Sequence, residues 1–452
     1  MSRTFARLLA AFLAVALVAA ACSDDEKTPA AGGSDSASAS GGGGGTEAID
    51  FEAIGLWDDG PCDASKPKLV IGLMTVFESG KISLKDQATA LEASAEAFNE
   101  RGGANGSCIE VHTCDDGANV DQAVACVREL DGAGVVATVN DQGTAGQAEV
   151  RAAMDALAIP RVASNVSPQD WDDPLMYPMD ASGTGVTLLQ PKALIEDGVK
   201  EIGVIRVSLA EASALLDLLK GIYAADGATF PFDAPVPEGT TDFSQFILGA
   251  QGAGVGGVSL SLGEQEAVQV IRAAQQLGTD LKIGGSIGTF AHSSVAELGD
   301  FANQMVFLWA FPPATFDLPV YKALRADMTA SGDESLQPAN LKGSPMRSWI
   351  GLYALLKMIR DAKLTDFSRA SITAMLNEAK DVPMLDMFGG ENWTPNTDHQ
   401  GLLKRAGMNH WAVYTWDPNA SADGLEGNFV EKAEISFDAV LCGSPLGAPA
   451  PC

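Results

Sequence analysis

The sequence predicts an α/β fold in which parallel strands are covered by helices on both faces, spread over two domains. Three observations lead there. From Lys68 onward, short aliphatic or β-branched runs alternate with longer segments whose apolar residues recur at helical spacing. The clearest unit is 135–167, VVATVNDQGTAGQAEVRAAMDALAIPRVASNVS, which reads as strand, turn, helix and strand. The length, 452 residues, exceeds what one hydrophobic core usually serves, so two domains are expected.

In chain order, Met1–Ala21 carries Arg3 and Arg7 and then an apolar run from Leu8 to Ala21. This is the layout of a secretory signal, too short and too rich in small residues for a lasting membrane span. Its end, Ala19-Ala20-Ala21-Cys22, resembles the bacterial lipobox, although Ala19 stands where the usual leucine lies. The resemblance implies that Cys22 is lipidated and becomes the mature N-terminus; ordinary cleavage that leaves Cys22 free is the alternative. Residues 22–65 are expected to form a disordered tether, because the Gly/Ser/Ala/Asp tract up to about Gly60 has few large apolar groups. Random-coil scaling gives such a segment a span on the order of 35 Å.

Leu69–Met74 reads as the first strand, followed by a helix with Leu84, Ala88, Leu91, Ala95 and Phe98 on one face and Arg101-Gly102-Gly103 as its stop. Ile109–His112 is the next strand, leading to Asp115-Asp116, and Asp121–Leu130 the next helix. Val135–Val139 is a buried-strand run, Asn140–Gly143 a turn, and a helix is expected from Thr144, its apolar face made by Val150, Ala153, Met154 and Leu157. After Ile159-Pro160 a further strand delivers Ser164, Asn165 and Ser167. In a parallel sheet these strands end at one edge, where hydroxyls, free amides and the positive end of a helix dipole suit a carboxylate. Thr144 as a plain N-cap is the competing reading, and the two roles can coexist. Ile202–Val207, Val258–Leu262 and Leu281–Ile283 read as strands of the second domain, with a helical stripe at Ala267, Val270, Ile271, Ala274 and Leu277; Met305–Phe311 and Trp411–Trp416 read as return strands.

Acidic residues outnumber basic ones 59 to 29, for a formal charge of −30, which disfavours nucleic acid and anionic lipid surfaces as partners. Apart from Cys22 there are six cysteines, an even number in an exported chain, which favours disulfides over metal ligation. Fifteen pairings are possible; the expected ones are Cys62–Cys108, Cys114–Cys126 and Cys442–Cys452. Four isolated histidines offer no metal spacing, and no metal or cofactor is expected.

These pieces together resemble the type I periplasmic binding proteins, in the leucine/isoleucine/valine-binding branch that serves ABC importers. The resemblance is carried by IGLM…SG at 71–80, AFNERGGANG at 97–106, Asp115-Asp116 before DQAVACVREL at 121–130, AIP at 158–160, DFSQFI at 242–247, RSWIGLYALLKMIRDA at 347–362 and GGENWTPNTDHQG at 389–401. It covers nearly everything from Lys68 to about Asp417. It implies two doubly wound parallel-sheet lobes joined by three crossovers: 66–182 plus 314–405, and 183–313 plus 406–440, with 441–452 as a tail. A ligand is then trapped between the lobes by hinge closure. Thr144 and Ser167 match the family's hydroxyls for a ligand carboxylate. Phe77, Glu78, Ser79, Gln142, Gly143 and Asn165 complete the first lobe's wall, and Ser208, Glu211 and Ser286 line the second. Asp180 matches an aspartate after the first crossover. The family's Tyr-Gly after the second lobe's first strand is replaced by Ser208-Leu209-Ala210-Glu211, and Gly285-Ser286 stands where branched-chain amino-acid binders carry an acid. An uncompensated ammonium is costly to bury, so an amide or organic acid stands beside an amino acid as the expected ligand. The implied protein is not an enzyme. It is a monomeric, lipid-anchored subunit on the outer face of the cell membrane, working with an ABC permease. A sensor presenting its closed form to a membrane receptor is the alternative.

Two motifs invite other readings. Gly284-Gly285-Ser286-Ile287-Gly288 satisfies G-x-S-x-G, with His399 and His410 downstream, which makes a serine hydrolase the remote alternative. Gly252 to Gly257 satisfies G-x-G-x-x-G, but it precedes a strand where a dinucleotide loop must follow one, and reads as a turn. Asp115-Asp116 is expected to order a loop rather than to transfer protons.

Overall fold

The computed structural model describes residues 48–79, 83–143, 145–165, 170, 172–208, 215–237, 239–397, 404–405, 407–422, 424–444 and 446–447. The signal segment, Cys22, Thr144, Ser167, Glu211, His399 and Cys452 lie outside them.

The first half follows the alternation of the sequence: β1 (Leu69–Thr75), α1 (Lys85–Glu100), β2 (Ile109–Asp115), α2 (Val120–Gly132), β3 (Ala137–Val139), α3 (Gln147–Leu157), β4 (Arg161–Val162) and β5 (Met176–Tyr177). These strands form a sheet in the order β2-β1-β3-β4-β5, with every pair parallel. The chain then enters α4 (Ser182–Glu196), β6 (Glu201–Val207), α5 (Leu215–Tyr223), β7 (Thr229–Val236), α6 (Ser244–Gly252), β8 (Gly257–Ser261), α7 (Glu264–Gln276), β9 (Lys282–Ser286), α8 (His292–Ala296) and β10 (Met305–Trp309). It returns to the first sheet as α9 (Pro319–Ala330), α10 (Gly343–Asp361) and α11 (Arg369–Glu378), and α10 lies along α1. Finally β11 (His410–Ala422), β12 (Leu425–Ser436) and α12 (Phe437–Leu441) complete a second sheet, β12-β11-β10-β9-β8-β6-β7. The chain therefore passes between the sheets three times, before α4, after β10 and before β11.

Several differences from the sequence reading have physical causes. The helix expected from Thr144 starts at Gln147. Its N-cap is Gly146, in the left-handed region at φ 62°, where an added Cβ would lie 2.7 Å from Val120, so the chain needs a glycine turn before it can coil. Strand β7 carries Pro231 and Pro235, which argue against a central strand; it is the edge of the second sheet, where missing amide donors are tolerated. The return strand at 411–416 extends into a long antiparallel hairpin, β11 with β12, and Gly424, just before β12, stands at φ 81°. Strand β12 lacks a sequence signal, because Glu426, Glu431, Lys432 and Glu434 interrupt its apolar pattern; it too is an edge strand, and the charges blunt that edge.

The ordered body also begins earlier than the tether boundary at 65. Leu56 and Trp57 are buried, Trp57 stacks on Phe98 at 5.4 Å and on Tyr353 at 6.2 Å, and Asp59 pairs with Arg360. Cys62 is bonded to Cys108 with a Cα separation of 5.1 Å, and Cys114 to Cys126 at 5.7 Å. Cys442 is also disulfide-bonded, and its expected partner Cys452 lies outside the described residues. No helix among the described residues is long and apolar enough to cross a membrane.

Candidate functional site

Because the first sheet is parallel, the chain leaves β1, β3 and β4 at the same edge. One residue ties these three exits together. The Asp141 carboxylate accepts the Met74 amide at the end of β1 (2.8 Å) and the Thr138 hydroxyl of β3. Its own amide donates to Ser164 Oγ (3.1 Å), and its carbonyl accepts the Asn165 amide (2.8 Å) beyond β4. Asp141 is buried, and burial pushes its carboxyl up to about 6, against the opposing hydrogen bonds from Thr138 and Met74 and the Arg161 charge; Asp170 adds to the rise. Arg161 in turn pairs with Asp170 (2.8 Å) and Asp173, residues that follow β4 in the chain.

Around this joint sit the described residues named from sequence. Gln142 and Gly143 are half-buried; Gln142 Oε1 accepts Gln87 Nε2 from α1 (2.6 Å), and the Gly143 carbonyl accepts the Gln147 side chain. Phe77 is half-buried with its amide on Asp115 Oδ1 (3.0 Å), while Glu78 is exposed and Ser79 half-buried. Asp115 and Asp116 order this loop as expected, accepting the amides of Gly117 and Ala118 at 2.9 Å. Asn140, at φ 60°, donates to Ser344 O (3.1 Å) and Ser348 Oγ (2.8 Å) of α10.

The opposing edge belongs to the second sheet. Ser208 follows β6 and is exposed; Ser286 ends β9 and is buried, with Oγ accepting the Gly288 amide (3.1 Å). Asp180 lies where the chain first passes between sheets and is fully buried. Its Oδ1 accepts the Ser182 amide (2.6 Å) and Arg347 Nη1 (2.8 Å), and the Arg347 guanidinium lies 5.2 Å from the Trp309 ring centroid. The two edges meet at 339–344: Ser293 donates its amide to Ala339 O (2.8 Å), Gly343 donates to Ile287 O (3.1 Å), and Ser344 Oγ donates to Gly288 O (2.8 Å). Lys342 reaches both sides, to Asp86 (2.7 Å) and Glu264 (3.4 Å). Burial pulls its ammonium's pKa down, but the two carboxylates outweigh that and the net direction is up.

The profile of the periplasmic binding protein family matches residues 70–421. The chain belongs to that family. Solved structures of similar fold include a solute-binding protein of an ABC transporter from R. palustris in complex with 4-hydroxybenzoate, with 14% identity, TM-score 0.67, and 82% of this chain and 97% of that one covered. A fatty acid ABC transporter substrate-binding protein from Thermomonospora curvata has 17% identity, TM-score 0.66, and 82% and 93% covered. A leucine binding protein from Thermotoga maritima has 14% identity, TM-score 0.62, and 82% and 99% covered. No curated protein matches. The type I periplasmic binding fold expected from sequence is therefore the fold of this chain.

In this periplasmic binding protein the G-x-S-x-G run is accounted for by packing. A Cβ at Gly284 would come within 3.0 Å of Gln190, at Gly285 within 2.9 Å of Phe290, and at Gly288 within 2.2 Å of Trp309. His292 is turned to Gly427 O (2.8 Å) and onto the Trp416 ring (4.9 Å). The 252–257 glycines form the turn from α6 into β8. Among the described residues no group of three or more metal-ligating side chains comes together. A cavity of about 540 Å³ opens between the residues before α6, helix α7 and the end of α8, lined by Thr240, Phe243, Gln269, Arg272, Ser294 and Glu297. It excludes every candidate loop residue, and its lining is largely solvated, so the geometry of the strand ends is the better guide to the site.

Sequence reasoning passed over Gln87, Asp141, Lys342 and Arg347. Asp141 reads as one more turn residue in Asn140–Gly143, and the partners of Arg347 and Lys342 lie far away along the chain. Only an acid or base inside an otherwise apolar stretch, as Arg347 is before Trp349 and Ile350, offered a signal.

Proposed function

We propose that the chain is the solute-binding lipoprotein of an ABC importer, anchored outside the cytoplasmic membrane through Cys22. It would capture a small carboxylate-bearing ligand between its two sheets by hinge closure and present the closed form to a permease. The lobes are taken as 66–182 plus 314–405 and 183–313 plus 406–440, acting as a monomer. The observation that carries the reading is the joint at Asp141, which holds the exits of β1, β3 and β4 as one wall, while Gly343 and Ser344 bond the loop after β9 of the second sheet. Thr144 and Ser167 are assigned the ligand carboxylate. Closure follows from the ligand's greater affinity for the arrangement in which both walls touch it.

The ligand assigned is an organic acid without an amino group. Gly285-Ser286 stands where an acid would meet an ammonium, and Asp180, matched to the family's aspartate after the first crossover, is already paired with Arg347 at 2.8 Å, so a ligand ammonium would be left without a counter-charge. The relatives that bind 4-hydroxybenzoate or are named for fatty acids support the same class. A thermal-shift screen of 4-hydroxybenzoate, fatty acids, leucine and small amides tests it. Amine-free carboxylates should raise the melting temperature with concentration; a response to leucine alone would overturn the assignment. Thr144→Ala should weaken binding of the best hit about tenfold to a hundredfold, the loss of one hydrogen bond to a charged partner. Unchanged affinity by calorimetry would remove Thr144 from the site.

A further inference from the structure

We infer that Lys342 is a latch across the groove, and that its ion pair with Glu264 sets the balance between open and closed lobes. The inference rests on the hinge-closure reading above. Asp86 stands in the first turn of α1, beyond β1, and Glu264 is the first residue of α7, beyond β8, so each belongs to the carboxyl edge of a different sheet. Lys342, at the start of α10, lies between them, with side-chain exposures of 18% for the lysine, 10% for Asp86 and 30% for Glu264. Its bond to Asp86 joins elements of the first sheet's own side, since α1 and α10 pack together, and it survives any rigid rotation of the lobes. Its bond to Glu264 does not. Glu264 is held for this contact by Ser294, whose hydroxyl donates to the other carboxylate oxygen at 2.8 Å.

The same seam carries the Ser293 hydroxyl to Asn340 Oδ1 (2.7 Å), the Gly343 amide to Ile287 O and the Ser344 hydroxyl to Gly288 O. All of these are uncharged. Among the described residues of the seam the Lys342–Glu264 pair is therefore the contact whose strength depends on ionic strength, and its partial burial leaves it less screened than a surface pair. Among the described residues the chain joins the two sheets through the three passages, so opening must break this seam, and the latch gives the ligand-free protein a bias toward closure.

The test uses the full ligand-free chain with one nitroxide on α2 and one on α6, reading interlobe distances by electron–electron resonance. Glu264→Gln keeps the Ser294 contact and removes the charge; it should raise the open-to-closed ratio roughly three- to tenfold. Lys342→Gln should do the same, and the double variant should open no further than either single one, because both remove one interaction. Added salt should open the wild type and leave the variants unmoved. A ratio indifferent to Glu264→Gln, or single effects that simply add in the double variant, would overturn the latch while leaving two lobe arrangements in view. A single distance in the wild type, with and without every compound of the ligand screen, would sink hinge closure itself and the latch with it.

Discussion

Replacing Arg347 by methionine should lower the unfolding free energy by about 3–5 kcal/mol, the range for breaking a buried ion pair from one side. The guanidinium is almost completely enclosed; it donates to Asp180 at 2.8 Å and to Ser182 Oγ at 3.1 Å, and lies over Trp309 and Phe311. Those partners belong to the first and second passages between the sheets, so one side chain at the start of α10 fastens both. The methionine variant leaves the Asp180 carboxylate buried with the Ser182 amide as its remaining partner. Asp180→Asn in the same chain removes the stranded charge and should recover most of the loss, because a neutral amide is far cheaper to bury than an unpaired carboxylate. Chemical denaturation of the two single variants and the double one decides the matter. If the double variant is no more stable than Arg347→Met, the charge pairing is not what holds the passages.

Asp141→Asn should change the pH dependence of stability by about 3 kcal/mol. The carboxyl is raised from 3.8 to about 6 in the folded chain, and each unit corresponds to about 1.4 kcal/mol. Between about pH 4 and pH 6 the unfolded chain has released this proton while the folded chain keeps it. Unfolding is then favoured as pH rises, and the loss is complete above about pH 6. The asparagine variant has no such proton. The difference in stability, variant minus wild type, should therefore climb by about 3 kcal/mol from pH 4 to pH 7 and be flat above that. Parallel denaturant titrations across this range measure it directly; a difference curve without slope would show that the buried carboxyl titrates normally. The carboxylate sits at the joint of the first wall, where its two oxygens serve the Met74 amide and the Thr138 hydroxyl. Ionised Asp141 is thus a site where order at the exits of β1, β3 and β4 is kept at some cost in stability.

Much of the candidate site was legible because it is local. Asn140–Gly143 and Ser164-Asn165 follow strands whose aliphatic runs are visible in the sequence, and the parallel arrangement then brings them to one edge. The two disulfides found, Cys62–Cys108 and Cys114–Cys126, were within reach for a similar reason, since β1, β2 and α2 are neighbours in both chain and space. The start of α3 was misplaced because Thr144 resembles a cap, whereas the left-handed turn at Gly146, pressed against Val120, postpones the helix to Gln147. Edge strands β7 and β12 were missed because prolines and charges are tolerated where one side of a strand faces no partner.

By itself the sequence determined the alternation of strands and helices, the parallel first sheet and the family, because periodicity and turn chemistry act over a few residues. The tertiary structure alone decided that Asp180 answers to Arg347, that Asp141 binds three strand exits together, and that Lys342 spans Asp86 and Glu264. These pairings join residues far apart along the chain, and no short-range pattern encodes which buried charge meets which; the packing of one element against another selects the partner.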